Sequence, residues 1–143
     1  MPQIHCAVNT RHSVQQIYQL INDIPAYPLF VPGCLVARVL EQQVQKITAL
    51  MVIGYAGVEK TVVTQNRAIL NQSVQLQLIT GPLKRLSGGW YLHPLTPGSC
   101  QVRFELQFEL LNLWLDRWME QGAKMLADRM VEAFVQRAKA IYG

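Results

Sequence analysis

QVRFELQFELLNLWLDRWMEQGAKMLADRMVEAFVQRAKAIYG, residues 101–143, changes its period once. Up to Leu110 it alternates, with Val102, Phe104, Leu106, Phe108 and Leu110 on one side and Gln101, Arg103, Glu105, Gln107 and Glu109 on the other. Strict period two predicts a strand with one buried and one wet face, the mark of an antiparallel sheet. From about Leu113 to Ile141 the spacing becomes helical. Leu115, Trp118, Met119, Gly122, Met125, Leu126, Met130, Ala133, Phe134 and Ile141 trace an apolar face, while Asp116, Glu120, Lys124, Asp128 and Glu132 trace the other. Such a helix, roughly 28 residues and ~42 Å long, crosses a whole small domain.

Upstream, residues 34–110 read as consecutive strands. Turn chemistry separates them at Gly54 and Gly57, Asn71-Gln72, Gly81-Pro82 and Pro97-Gly98. Val74, Leu76 and Leu78 alternate with Gln75 and Gln77. Gly88-Gly89 lies inside a strand before Trp90, where glycine permits a bulge or a sharp bend. In the strand after Cys34, the parity that buries Leu35, Ala37 and Val39 leaves Arg38 in water and is preferred. Residues 3–9 predict a first strand with Ile4, Cys6 and Val8 on one face. Ser13 and Gln16 then form an S-x-x-Q capping box, and Val14, Ile17, Tyr18 and Ile21 follow at helical spacing. The expected class is α+β, with residues 1–143 forming a single domain whose curled antiparallel sheet closes over one long helix.

The bulk numbers bound the function. Of 143 residues, 50% are hydrophobic and only 15% charged, below the ~25% usual in soluble domains. Either the chain lines extra interior surface, such as a cavity, or glutamine replaces charge outside, as Gln15, Gln16, Gln42, Gln43, Gln45, Gln75 and Gln77 suggest. A net charge of +4 suits solubility and mildly favours RNA or an anionic surface, but no run of like charge marks either partner. Three scattered cysteines without a C-x-x-C pair argue against a disulfide framework or zinc site and for a reducing cytosol. No signal-peptide core opens the chain, and no apolar run reaches the ~20 residues that span a bilayer. A cytoplasmic protein is expected.

The segment DIPAYPLFVPGC, residues 23–34, is too rich in proline for a regular helix and too apolar for an ordinary surface loop. Pro25 ends the preceding helix, residues 25–30 read as a short helical turn, and Pro32-Gly33 as a tight turn. Together with MPQI at the start, YQLINDIPAYPLFVPGC at 18–34, GPLKRLSGGWYLHPL at 81–95 and AFVQRAKAIYG at 133–143, this segment resembles the START-like superfamily. Within it, the chain is similar to the coenzyme Q-binding family of the ribosome association toxin A type. The resemblance implies a helix-grip fold, in which about seven strands wrap the C-terminal helix around an apolar cavity. It also implies that 23–34 forms the cavity mouth, with Tyr27, Phe30 and Val31 facing inward.

Catalytic signals are lacking. His5, His12 and His93 lie far apart with no metal-ligand spacing, and alternation puts His93 opposite Trp90, in solvent. No nucleophile elbow, Walker loop or dinucleotide fingerprint occurs. No enzymatic activity, metal or resident cofactor is expected. If sheet and helix close as described, Trp90, Phe104, Phe108, Trp118, Met125, Met130 and Phe134 converge with Tyr27, Phe30 and Val31 on an apolar ligand, or form a solid core. An empty cavity of about 300 Å³ costs roughly 7 kcal/mol, near the whole stability of a domain, so it collapses or holds something apolar. The resemblance makes that ligand a polyprenyl quinone such as ubiquinone, or a related lipid, in support of respiration. It equally implies a second function, a toxin of toxin–antitoxin type that binds the large ribosomal subunit and blocks subunit association. Lys84 and Arg85, on the turn after Gly81-Pro82, are the local candidates for ribosome contact. Trp114 and Trp118 share a side of the last helix. If its start projects beyond the sheet, they can touch a membrane surface during ligand exchange; otherwise they are core.

Overall fold

The computed structural model describes residues 3–55, 57–109 and 113–143, and for positions 55, 113–124 and 126 it describes the backbone only. Strand β1 (Gln3–Thr10) leads into helix α1 (Val14–Asn22), a 3-10 helix (Ile24–Leu29) and β2 (Cys34–Gln42). Strands β3 (Lys46–Tyr55), β4 (Val58–Ile69), β5 (Ser73–Thr80), β6 (Arg85–Thr96) and β7 (Ser99–Glu109) follow, and helix α2 (Leu113–Tyr142) completes the order. The strands form one antiparallel sheet in the order β1-β7-β6-β5-β4-β3-β2. β1 and β2 are therefore opposite edges, and α1 with the 3-10 helix bridges between them.

Local chemistry sets that bridge. The Ser13 side chain accepts from the Gln16 amide at 3.2 Å and the Gln16 side chain accepts from the Ser13 amide at 2.9 Å, completing the expected box. Helix α1 stops at Asp23, and Pro25 opens the 3-10 helix, where its missing N–H leaves nothing unsatisfied. Gly33 takes φ +78°, a conformation that favours glycine, and its carbonyl accepts from the Gly54 amide at 2.8 Å, which fixes the start of β2 against the end of β3.

Two expectations change here. β2 shifts register between Cys34 and Val36, so Leu35 turns outward while Ala37 stays buried. Arg38 is exposed as expected. At Gly88-Gly89 there is no bulge, since Ser87 to Tyr91 pair without interruption to both β5 and β7. The glycines instead permit close approach. A Cβ on Gly88 would run into the Glu105 carbonyl oxygen, and one on Gly89 would lie 2.9 Å from the Val74 carbonyl oxygen. Two neighbouring backbones thus crowd β6 at this point.

α2 packs on β1, α1 and β7. In its described half the buried stripe is Ala127, Val131, Phe134 and Ala138. This corrects the expected face. Met125 lies nine residues before Phe134, two and a half turns at 3.6 residues each, so it points away from the sheet and is 54% exposed. Ile141 is exposed as well. Alanines flank Val131 and Phe134 on the stripe that faces inward. The expected places of Trp114 and Trp118 lie outside the described residues. Among the described residues no helix is long and apolar enough to cross a membrane.

The crowding at β6 gives a direct test. Gly88→Ala is expected to destabilise by about 3 kcal/mol or more, because backbone cannot move aside. Gly98→Ala, where an added Cβ meets nothing within 4 Å, should stay within about 0.5 kcal/mol of the parent. Urea unfolding of both variants measures the difference.

Candidate functional site: the interior of the curl

Inward side chains of the sheet follow from its register. Trp90 lies across from Val74 on β5 and Phe104 on β7, and Phe104 across from Cys6 on β1. Phe134 descends from α2 onto this row. Its ring stands edge-on to Tyr27 (5.4 Å between centroids), Phe30 (4.9 Å) and Trp90 (4.8 Å), and Trp90 is 4.4 Å from Phe104. The expected residues Tyr27, Phe30, Trp90, Phe104 and Phe134 do converge, but on one another. Val31 and Phe108 are buried in the same core, and Met130 packs half-buried against it. Met125 does not join, for the reason given above, and Trp118 lies outside the described side chains.

The mouth segment divides in two. Tyr27 is closed in, and its hydroxyl donates to the Ile21 carbonyl at the end of α1, so it belongs to the wall. Phe30 is half-buried, with the Arg137 guanidinium carbon 5.2 Å above its ring. Among the described residues, the buried Arg137 Nε has no hydrogen-bond partner; the ring's negative face supplies part of what a hydrogen bond would. Phe30 and Arg137 are thus the pair at the rim.

Away from this aromatic knot the inner wall is looser. Met51, Ala68 and Leu76 on β3, β4 and β5 are only half-buried although they point inward, as does Leu78. The described half of α2 packs on the β1–β7 side, so these residues line the part of the curl that this half leaves uncovered.

The outer face carries a feature that sequence reading missed. A polar groove of about 410 Å³ is lined by Gln65, Arg67, Gln75, Gln77, Tyr91 and Glu105, among others. Gly89, with no side chain, leaves the gap between Gln75 and Glu105. Arg103 lies 4.9 Å over the Tyr91 ring and 3.2 Å from Glu105. The period-two glutamines were the available signal.

Titratable groups are sparse inside. His93 is exposed, His5 faces Glu105 at 3.7 Å on the outer side, and His12 is buried with Nδ1 2.9 Å from the Thr10 hydroxyl. Among the described residues no three His, Cys, Asp or Glu groups gather as metal ligands would. Burial pushes the Cys100 thiol up to about 11. Burial likewise raises Cys34, while Cys6 is raised by burial and by Asp128, which accepts its hydrogen bond. Tyr27 is raised further, by burial first and then by the nearby Cys34 and Asp23.

With this geometry in place, the relatives can be compared. The sequence model of the polyketide cyclase / dehydrase and lipid transport family matches residues 10–135. The chain belongs to this START-like family. Ribosome association toxin RatA of Escherichia coli K12 is 41% identical over 142 residues, covering 99% of this chain and 90% of that protein. The mitochondrial coenzyme Q-binding protein COQ10 homolog B of Xenopus laevis is 27% identical over 135 residues, covering 92% of this chain and 55% of that protein. Two solved structures share the family fold with TM-scores of 0.87. The Zhui aromatase/cyclase of Streptomyces sp. R1128 is 14% identical over 96% of this chain and 93% of its own. A START superfamily protein of Mycobacterium smegmatis is 16% identical over 97% and 98%. The helix-grip architecture expected from the sequence is the one observed.

The raised thiols and phenol fix the sign of an alkaline effect. A group harder to deprotonate when folded leaves the native state holding extra protons, so its contribution is intact below the unfolded value and lost as pH climbs through the folded one. For Cys100 that window runs from the ordinary 9.0 to about 11. Melting temperature should therefore fall between these pH values, and Cys100→Ala should fall less steeply over the same range.

Proposed function

We propose that this chain is a non-enzymatic carrier that holds an apolar molecule, a polyprenyl quinone or related lipid, between the concave face of the sheet and α2. The observation that carries this reading is the half-buried apolar wall of Met51, Ala68, Leu76 and Leu78 beside a fully packed aromatic knot. Apolar side chains turned inward yet incompletely covered are stabilised when an apolar ligand completes their burial, at roughly 25 cal/mol per Å². The lipid-transport description of the family and the coenzyme Q-binding relative support the same class of cargo. A cyclase would need an acid or base aimed at its substrate. The inward positions at Ile47–Met51, Val62–Ala68, Val74–Leu78, Leu86–Leu92 and Val102–Phe108 carry no ionisable side chain.

Organic extraction of protein purified from its native host, followed by mass spectrometry, is expected to yield a quinone or acyl lipid. Absence of both, with no binding of added decylubiquinone, overturns the reading. Phe30→Ala, at the rim, should weaken decylubiquinone binding while lowering the ligand-free melting temperature less than Phe134→Ala, whose loss is expected at about 3–5 kcal/mol.

A second reading, association with the large ribosomal subunit, is favoured by the relative of that name at 41% identity across nearly the whole chain. It concerns the outside of the molecule and does not compete for the interior. Lys84 and Arg85 are exposed, and both lean on Glu109, at 3.4 and 3.7 Å. One carboxylate thus offsets two cations. In sucrose gradients at low salt, the protein is expected to sediment with the large subunit and to lose it steeply as salt rises. Lys84→Glu with Arg85→Glu should weaken the association and Glu109→Gln should strengthen it. No sedimentation at low salt overturns this second reading.

A further inference from the structure

The inner wall of the sheet contains one hydrogen-bonded polar pair. Thr64 and Asn66 stand two residues apart on β4, both inward, and the Thr64 hydroxyl donates to Asn66 Oδ1 at 2.9 Å. Thr64 is 3% exposed and Asn66 half-buried. Register shows how isolated they are. Across the sheet, Asn66 lies between Ile47 on β3 and Leu76 on β5, and beyond Leu76 come Gly88, Leu106 and Ile4. Thr64 lies between Ala49 and Leu78. On β3 to β7 and on β1 every other side chain of these two rows is apolar or absent, and the Asn66 row meets another polar group only at the exposed Gln42 of β2, across from Ile47.

A carboxamide at such a place is a liability unless something meets it. It has one acceptor oxygen and two N–H donors, and a ligand that covers a donor without accepting from it binds more weakly. Oδ1 is engaged by Thr64. The amide nitrogen is not sealed from water as a buried orphan would be, so water can meet it until something apolar covers this wall. What Asn66 offers to the hollow is therefore a donor, oriented by Thr64, in a wall otherwise suited to hydrocarbon.

We propose that Thr64 and Asn66 are the specificity point of the cavity, and that Asn66 donates to an uncharged oxygen, a ring or ester carbonyl, at the polar end of an apolar ligand. Thr64 acts as the positioning residue. By occupying Oδ1, it fixes which end of the amide faces the ligand. The wall then selects against pure hydrocarbon, which would leave the donor unmet, and against a cationic or ammonium headgroup, which offers only donors. A quinone or ester lipid meets both the apolar rows and the amide. This inference rests on the reading that an apolar ligand occupies the interior.

The test compares two probes with the same tail, decylubiquinone and decylbenzene, by displacement of an environment-sensitive apolar dye. Asn66→Leu is expected to weaken decylubiquinone roughly tenfold, the loss of one hydrogen bond, and to leave decylbenzene unchanged or tighter. Asn66→Asp keeps the shape and the bond from Thr64 but removes the donors, so it should weaken decylubiquinone as well and serves if the leucine variant fails to fold. Thr64→Val should reduce the preference for the quinone by a smaller factor. Equal effects on the two probes, or no effect on decylubiquinone, overturn the proposal while leaving the carrier reading intact. If neither probe binds the unmodified protein, the carrier reading falls and takes this inference with it.

Discussion

Phe134 meets three rings edge-on, and they come from two distant parts of the chain: Tyr27 and Phe30 from the segment between α1 and β2, Trp90 from the most crowded strand of the sheet. Edge-to-face contacts are worth about 0.5–1.5 kcal/mol each beyond burial, and these depend on a single residue of α2. They set the height of the helix above the sheet and hold the 3-10 helix against both. The two residues before Trp90 lack side chains, which lets β6 lie close between β5 and β7. The glycines permit that approach, and Trp90 with Phe134 closes one end of the curl.

Closing one end is what leaves the other available. The stripe Ala127, Val131, Phe134 and Ala138 brings α2 down on β1 and β7. Over β3, β4 and β5, Met51, Ala68, Leu76 and Leu78 are only half-covered, although Ile47, Ala49, Val62 and Val74 beside them are buried. A packed knot beside a loose wall is a workable division for a carrier: stability comes from aromatic contacts that need no ligand, and the cargo completes burial elsewhere. It also separates residues by the kind of damage their loss does. Phe134 and Trp90 hold the fold together, whereas Asn66 and Phe30 stand where a ligand would pass or rest.

Much of this was legible in residue order. Period two in β5 and β7, the capping box at Ser13, the break at Pro25 and the long final helix are local patterns, and each appears where the pattern puts it. The convergence of Tyr27, Phe30, Trp90, Phe104 and Phe134 was legible only through the family resemblance, because contacts across so many residues leave no local trace. Three features were not legible. A helical stripe read by size favours Met125 over Ala127, but Ala127 is the one that is buried. A register shift in β2 turns Leu35 outward, and nothing in CLVARVL announces it. Asn66 reads as one polar residue among several in TQNR, and only the ladder from Ile47 through Leu76 to Ile4 shows it alone on an apolar wall.

Composition left one question open, whether few charges meant a lined interior or an exterior of glutamine. The register answers part of it. Gln65 pairs with Gln77, Gln77 with Ser87, Ser87 with Gln107 and Gln107 with Gln3, a row of polar, uncharged groups running across the outer face from β4 to β1. Uncharged amides suit a row in which each side chain stands beside its cross-strand neighbours, where like charges would repel. Of the charges that stand on it, Arg103 and His5 lie against Glu105, at 3.2 and 3.7 Å, whereas Lys46 and Arg67 face each other across β3 and β4. The low charge fraction is therefore explained by the outside of the sheet and carries no weight for a cavity. The inner wall is where an apolar ligand would matter, since Met51, Ala68, Leu76 and Leu78 are incompletely buried there and Thr64 orients the one carboxamide among them.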